Sequence, residues 1–333
     1  MASPVSGVPS AQPAPAPVCA DCGEVAADPR LAEAARRSDF SQDYADQLRA
    51  EPAGELARRW PEVVARDDPD ELPAFLAVFA QSLREAGDAA LYQELASILH
   101  DPTATEQARS AVLTLLGRAA TPQAVQILTD YLASGTVRDG IEATLRESIR
   151  EAAATLVDGQ WNWEVSPVLE NAWRNRDPTP AEADRAVLAQ GIAYLSTAEG
   201  ARALLDTVGS NNAPSDPDRA IALTALASLQ RNEAVPVLTE ALAGGQPDAE
   251  VTAAAMAALV NIGSADAHIA LMGYLTRVTD LGEEQRQTLR AELAGRGLSD
   301  EAAKVIRDAV EHQSFADRAV KALLADALRA DQG

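Results

Sequence analysis

Residues 222–242 read ALTALASLQRNEAVPVLTEAL, and residues 111–132 read AVLTLLGRAATPQAVQILTDYL. A third copy, AAAMAALVNIGSADAHIALMGYL, occupies residues 253–275. Each copy holds two apolar stretches with the spacing of amphipathic helices. They are separated by a short turn in which Ser, Thr, Asn or Asp can cap the second helix. The sequence is therefore predicted to repeat one helix-turn-helix unit.

The copies belong to a longer array with a regular period. Candidate first helices begin near Asp70, Thr103, Arg138, Pro180, Asp216, Asp248, Gly282 and Phe315. These starts lie on average about 35 residues apart, which is typical of helical solenoids. Aromatic residues make up only 4% of the chain, and its apolar fraction of 47% is rich in Ala and Leu, which favours helices. We expect an all-α solenoid of about seven helix pairs.

These repeated motifs resemble those of the HEAT-like repeat family, in the variant seen in phycobilisome-lyase-type repeats. The resemblance covers about residues 100–330, and its motifs mostly encode helix packing. It implies a right-handed α-solenoid of HEAT-like helix pairs with helical caps. It also implies bonds between neighbouring repeats, formed by an Asp in each turn and an Arg that follows it.

Four segments are predicted along the chain. Residues 1–27 form a tether rich in Pro and Ala, 28–69 an N-terminal helical cap, 70–314 the repeats, and 315–333 a C-terminal capping helix. The tether follows Met1 directly, which fits a removed signal peptide or anchor as well as a native cytosolic tail. We predict a periplasmic or other extracytoplasmic location, with the cytoplasm as the alternative.

The two cysteines of the chain, Cys19 and Cys22, both lie in the tether. Haem attachment would need a His at Gly23, and a zinc site would need two further ligands nearby. A local disulfide remains, which would agree with an oxidising compartment. The alternative is a pair of free thiols that react or dock.

The net charge is -22, from 50 acidic and 28 basic residues, and all but two of the basic residues are arginines. Binding to nucleic acid or to an anionic membrane surface depends on cationic contacts, so this charge argues against both. It is compatible with a basic protein partner. It is equally compatible with adaptation to salt, in which surface carboxylates keep the protein soluble.

Aligning the repeats places arginines at one position of successive first helices, with Thr252 filling the one gap: Arg109, Arg150, Arg185, Arg219, Arg286 and Arg318. The family resemblance implies Asp/Arg pairs at Asp101/Arg109, Asp177/Arg185 and Asp216/Arg219. We interpret the series as a structural ladder. The alternative is an inner stripe that binds carboxylates or phosphates.

The sequence contains no recognised catalytic motif. His100, His268 and His312 lie in three different repeats without a second His or Cys at metal-ligand spacing, so each is expected at a helix end or on the surface. We predict no catalytic residue, no metal and no cofactor, and we predict that the protein is not an enzyme.

Tryptophans are concentrated in the repeat with the longest interval. Trp161 and Trp163 lie in an extended turn, and Trp173 follows in the same unit. Because Trp is enriched in binding hot spots, these three residues form the candidate contact surface. The alternative is that the long turn folds back and buries them.

A long helical face with aromatic anchors suits a protein or peptide partner better than a small molecule. The leading hypothesis is a non-enzymatic protein-protein interaction scaffold, tethered in the cell envelope or periplasm of a bacterium. The family resemblance supplies an alternative, a bilin-lyase-like or chaperone-like factor that modifies a protein partner. A DNA-glycosylase-type solenoid would need a basic groove, which the net charge argues against.

Overall fold

The computed structural model describes residues 42–137, 140–176, 181–209, 216–244 and 248–330. The predicted tether, with Cys19 and Cys22, lies outside these residues. Residues 42–48 are helical. The α-helices that follow are α1 (Ala53–Arg66), α2 (Glu71–Ala86), α3 (Ala89–His100), α4 (Glu106–Ala119), α5 (Pro122–Ala133), α6 (Glu142–Ala154), α7 (Ser166–Arg174), α8 (Glu182–Leu195), α9 (Ala198–Gly209), α10 (Pro217–Ala227), α11 (Val235–Ala243), α12 (Ala249–Ile262), α13 (Ala265–Leu275), α14 (Glu283–Arg296), α15 (Asp300–His312) and α16 (Arg318–Ala330).

The helices form two stacked layers. Even-numbered helices from α2 to α16 pack side by side in one layer, and odd-numbered helices from α3 to α15 pack side by side in the other. The even-numbered helices are the first helices, and the odd-numbered helices the second helices, of the seven units α2/α3 to α14/α15. Each unit contacts the units before and after it, which is the arrangement of a solenoid. The prediction of an all-α solenoid is confirmed.

Close packing of the first helices requires small residues at the points of contact. A Cβ atom on Gly117 of α4 would lie 2.8 Å from the Cα atom of Ser148 on α6. Only glycine therefore allows these two helices to approach so closely. α4 then ends at Ala120, whose φ of 49° is left-handed and turns the chain into the second helix of the unit.

A small β-hairpin interrupts the helical pattern between α6 and α7. Strand β1 (Leu156–Val157) pairs with β2 (Gln160–Trp161) in antiparallel register, so that Leu156 lies opposite Trp161. Asp158 and Gly159 form the turn, and both have positive φ, as a type I′ hairpin requires. The extended turn of the sequence is thus an ordered hairpin, followed by a 3-10 turn at Trp163–Val165.

Candidate functional site

Three of the predicted ladder arginines join neighbouring units at the N-terminal ends of the first helices. Arg185 Nε lies 2.7 Å from Asp218 Oδ1 of the next first helix. Arg219 Nη2 lies 2.7 Å from Asp248 Oδ2 and also contacts Glu250. Arg286 Nη1 lies 3.3 Å from Asp317 Oδ2. Each bond is charge-assisted and ties one unit to the next.

The other ladder positions need correction. Arg150 is largely exposed and pairs with Glu147 on its own helix, whereas Arg146, one turn earlier, makes the inter-unit pair with Asp184 at 2.6 Å. Arg318 is exposed and forms no ion pair with a described residue. Arg109 is buried and donates to the main-chain oxygen of Asp101, not to its carboxylate.

Of the Asp/Arg pairs that the resemblance implies, neither Asp101/Arg109 nor Asp216/Arg219 forms a pair between side chains. Asp216 accepts a hydrogen bond from the Asp218 backbone N–H and caps α10, while Arg219 reaches forward to the next unit. Asp177 lies outside the described residues. The arginines pair forward because their side chains lie beside the start of the adjacent first helix, where acidic residues also interact favourably with the helix dipole.

Two ladder carboxyls have shifted pKa values. Burial raises the pKa of Asp218. The hydrogen bonds and charges of Arg185 and Arg176 together lower it by more than burial raises it, so that the pKa of Asp218 lies below its usual value. The pKa of Asp317 is also lowered, mainly by the hydrogen bond from the Leu281 backbone N–H. Both carboxylates are therefore stabilised in the folded protein.

The opposite edge of the solenoid carries an aromatic cluster at the C-terminal ends of the first helices. Trp161 and Tyr194 meet edge to face, with ring centroids 5.4 Å apart. The guanidinium carbon of Arg231 lies 3.3 Å from the Trp161 ring centroid, 5.7 Å from that of Trp163 and 5.9 Å from that of Tyr194. Together with Leu156, these four residues form what we call the hairpin patch.

The hairpin patch is accessible to solvent. Among the described residues the exposed large apolar side chains are Leu156 (49%), Trp163 (37%) and Ile269 (58%). Two of the three thus lie in the hairpin patch, while Ile269 is alone on α13. Apolar side chains concentrated on such a rigid, exposed turn are typical of interaction surfaces.

Arg231 is held in the hairpin patch without a carboxylate partner. Its Nε donates a hydrogen bond to the Tyr194 main-chain oxygen at 3.1 Å, and no described acidic side chain forms an ion pair with it. Burial lowers the pKa of Arg231, against the weaker effects of Tyr194 and Glu233. The stacking on Trp161 is a cation–π contact, which holds the guanidinium group against the indole ring.

The hairpin patch also departs from the capping pattern of the repeats. In five of the seven units of the described chain, a side chain at the start of the second helix accepts a hydrogen bond from the backbone N–H three residues later: Asp88, Thr121, Thr197, Ser264 and Ser299. The equivalent positions in the other two units are Asn162 and Arg231, where a 3-10 turn opens the helix without a side-chain cap, and Trp163 is the first residue of that turn in its unit. The cap that the sequence suggested for residues 230–233 is therefore absent there.

A buried carboxylate lies next to these two units. Glu170 directly follows Leu169, which occupies the position at which the other second helices also bury an aliphatic residue: Leu95, Leu128, Leu204, Leu238, Leu271 and Ile306. Its Oε1 accepts hydrogen bonds from Ser166 at 2.7 Å and from Thr197 at 3.0 Å. These bonds satisfy the buried oxygen and join two units, so Glu170 has a structural role.

The third predicted contact residue, Trp173, is not part of the surface. Its side chain is fully buried, and its Nε1 donates a hydrogen bond to Thr207 Oγ1 at 3.0 Å. Trp173 lies on the inward face of α7, whereas Trp161 and Trp163 lie on the turn before it. Burial in the core corrects its assignment as a contact residue.

The structure offers no constellation for metal chemistry in the part of the chain that it describes. No group of three His, Cys, Asp or Glu side chains converges there as metal ligands would. His100 and His312 are exposed at the ends of α3 and α15. His268 is buried, contrary to expectation, and burial lowers its pKa while its Nδ1 bonds the Ser264 main-chain oxygen at 2.9 Å. Within the described ranges, no helix has the length and apolar character of a membrane span.

No protein-family model and no curated protein matches this chain. Among solved structures, the chain is similar to human deoxyhypusine hydroxylase in complex with glycerol, with 18% sequence identity and a TM-score of 0.29. The match covers 78% of this chain and 97% of that chain. That protein is an enzyme, and on this finding the prediction that our chain is not an enzyme is corrected. The prediction relied mainly on the absence of a recognised catalytic motif, and neither that absence nor a helical-repeat fold excludes catalysis.

Sequence reasoning missed Leu156, Tyr194 and Arg231. A signal for Arg231 was present, because the aligned repeats have Asp, Ser or Thr at its position in five units. Leu156 and Tyr194 carried no comparable signal. Their importance comes from the hairpin register and from the stacking of α8 beside the hairpin.

Proposed function

We propose that this helical-repeat protein is an interaction scaffold that binds a protein or peptide partner through the hairpin patch. The observation that carries the proposal is the exposure of Leu156 and Trp163 on an ordered hairpin and 3-10 turn, which open the second helix of their unit without a side-chain cap. A cap of this kind contributes about 1 kcal/mol to stability. The exposed Trp163 next to the uncapped position offers no comparable structural gain, so binding is the better explanation.

The composition and rigidity of the hairpin patch support this function. Trp, Tyr and Arg are the residues most enriched at the energetic centres of protein interfaces. Here the β-hairpin and the stacking of Arg231 on Trp161 hold them in place before a partner arrives. Such preorganisation lowers the entropy that binding must overcome.

The charge of the chain restricts the partner. A net charge of -22 disfavours nucleic acid and anionic lipid surfaces, which leaves proteins and peptides as the suitable class. Seven stacked units at about 10 Å each extend over about 70 Å, which is ample for a polypeptide. The extracytoplasmic location stays a prediction.

A paired comparison of two exposed apolar sites tests the proposal. The variant Leu156→Ser/Trp163→Ala removes the exposed part of the hairpin patch, and Ile269→Ser removes the more exposed apolar residue on α13 as a control. Proteins recovered with each variant from the native source are quantified by mass spectrometry. We expect recovery of the partner to fall about tenfold or more with the first variant, as for a hot spot, and to be unchanged with the second. Equal recovery of the partner with the unmodified protein and with both variants would contradict the proposal.

A further inference from the structure

We infer that the groove between α8 and α10, together with the adjoining hairpin patch, holds a segment of the same chain, the proline-rich residues 11–17. The inference rests on the proposed function, since it assigns the hairpin patch as a docking surface. It adds the class of ligand, an uncharged Pro/Ala-rich peptide in the polyproline II conformation. Any external partner would then compete with this segment.

The groove has the shape for a narrow, extended peptide. It has a volume of about 380 Å³ and runs from Glu182 at the start of α8 to Tyr194 near its end. At 1.5 Å per residue this is about 18 Å long. Its floor consists almost entirely of alanines with one isoleucine: Ala186, Ala193, Ala220, Ile221 and Ala225. Small side chains on both helices leave room for a backbone and for proline rings.

The rim of the groove provides hydrogen-bonding groups suited to peptide carbonyls. The side-chain amides of Gln190 and Gln230 line it, while the Thr224 and Ser228 hydroxyls on the same rim donate to main-chain oxygens of their own helix. The Gln190 side-chain oxygen accepts from Arg150 Nε at 3.3 Å, so the Gln190 amide N–H groups point away from that bond and can donate. A polyproline II helix has no internal hydrogen bonds and presents its carbonyls to such donors.

The aromatic end of the groove completes the match. Tyr194 belongs both to the groove and to the hairpin patch, which brings Trp161 and Trp163 next to the groove. Pro-rich segments dock on aromatic-lined grooves because their conformation is already ordered before binding.

Residues 11–17 of this chain read AQPAPAP and carry no charge, so the acidic surface does not repel them. In the polyproline II conformation they would extend about 22 Å, close to the length of the groove.

The chain is long enough for this contact. Helix 42–48 is anchored beside the start of α2, where Tyr44 donates a hydrogen bond to Glu71 at 2.7 Å. The distance from this anchor to the end of α8 has two components. It is about 30 Å across the layer, from α2 past α4 and α6 to α8, and about 20 Å along α8, which together give a diagonal of about 40 Å. The linker between this segment and the anchor, residues 18–41, can span about 50 Å. This length counts residues 18–27 as extended chain and residues 28–41 at the rise of a helix. The segment can therefore reach the hairpin patch of its own molecule.

The native cysteines provide a direct test in the full-length protein. In the Cys22→Ser variant, a nitroxide attached to Cys19 lies two residues beyond Pro17. A nitroxide quenches tryptophan on contact, and it can touch the accessible Trp161 and Trp163 but not Trp60 or Trp173, which are buried. The measurement is the gain in tryptophan fluorescence when the nitroxide is chemically reduced.

We expect a gain of about half of the fluorescence contributed by the two accessible tryptophans. A tether gives an effective concentration on the order of 1 mM, which half-fills a site with a Kd of that order. The gain should disappear in Trp161→Phe/Trp163→Phe. It should fall at least about twofold in Pro13→Ser/Pro15→Ser/Pro17→Ser, but not in the matched control Pro4→Ser/Pro9→Ser.

Three outcomes would overturn the inference. These are no gain in the labelled protein, a gain that survives the triple proline variant, and a gain that depends on protein concentration, which would assign the site to a second copy. The recovery experiment with Leu156→Ser/Trp163→Ala is independent of this readout. Loss of the partner without quenching would refute only the inference, and quenching without loss of the partner would refute only the proposed function.

Discussion

The two edges of the solenoid use arginine in opposite ways. At the N-terminal ends of the first helices, Arg185 and Arg219 are largely buried and each pairs with carboxylates of the next unit. At the C-terminal ends, Arg231 stacks on Trp161 and donates only to a main-chain oxygen within the described chain. The first arrangement joins repeats, and the second orders an accessible aromatic surface. The environment of each guanidinium, and not the residue type, separates structural arginines from those of a binding site.

The largest expected effect separates a buried tryptophan from an exposed one. Trp173→Ala should lower the free energy of unfolding by about 3–5 kcal/mol, because it leaves a cavity in the core and removes the partner of Thr207. Trp163→Ala should cost less than about 1 kcal/mol, since its ring is partly in water. Urea unfolding followed by circular dichroism measures both. A cost for Trp163→Ala as large as that for Trp173→Ala would show that the hairpin patch is structural.

An intermediate effect is expected at the ladder edge. Asp218→Ala should destabilise the protein by about 3 kcal/mol, because it leaves Arg185 and Arg176 without their shared carboxylate. The control is Asp326→Ala, which breaks an exposed pair with Arg329 on α16 and should change stability too little to resolve. Equal effects of the two variants in urea unfolding would contradict a structural ladder.

The lowered pKa values give the ladder a defined pH dependence. A carboxyl with a folded-state pKa below its unfolded value stabilises the protein fully above the unfolded pKa, about 3.9 for Asp, and this stabilisation is lost as the pH falls through the folded pKa. Stability should therefore decrease below about pH 4. Asp218→Asn should make that decrease shallower if the lowered pKa of Asp218 contributes to it.

The smallest effect tests whether the second helix in the hairpin patch lacks a cap because a contact residue stands at the cap position. Arg231→Ser should place a capping hydroxyl where five other repeats have a capping side chain and raise stability by up to about 1 kcal/mol. The reciprocal variant Thr121→Ala removes an existing cap and should cost about 1 kcal/mol. Thermal unfolding and partner recovery are measured on both proteins. Unchanged partner recovery with Arg231→Ser would mean that the cap was not exchanged for a contact residue.

The sequence predicted the fold well because a solenoid repeats local patterns. Asp216 and Asp248, expected near helix starts, cap α10 and α12. The ladder was predicted less accurately, since Arg146 and Arg150 lie one turn apart on α6 and only packing decides which of them reaches Asp184. The tryptophans were harder still, because their concentration in one repeat did not separate Trp173, which packs inward from α7, from Trp161 and Trp163 on the turn before it.

The sequence alone determined the period, the helix pairs and most of the caps, since each depends on residues only a few positions apart. Only the tertiary structure brought Trp161 and Arg231 into contact across 70 residues. That contact requires a hairpin of defined register, two uncapped second helices and the stacking of three units. Contacts between units depend on how helices pack side by side, and no local periodicity encodes that geometry.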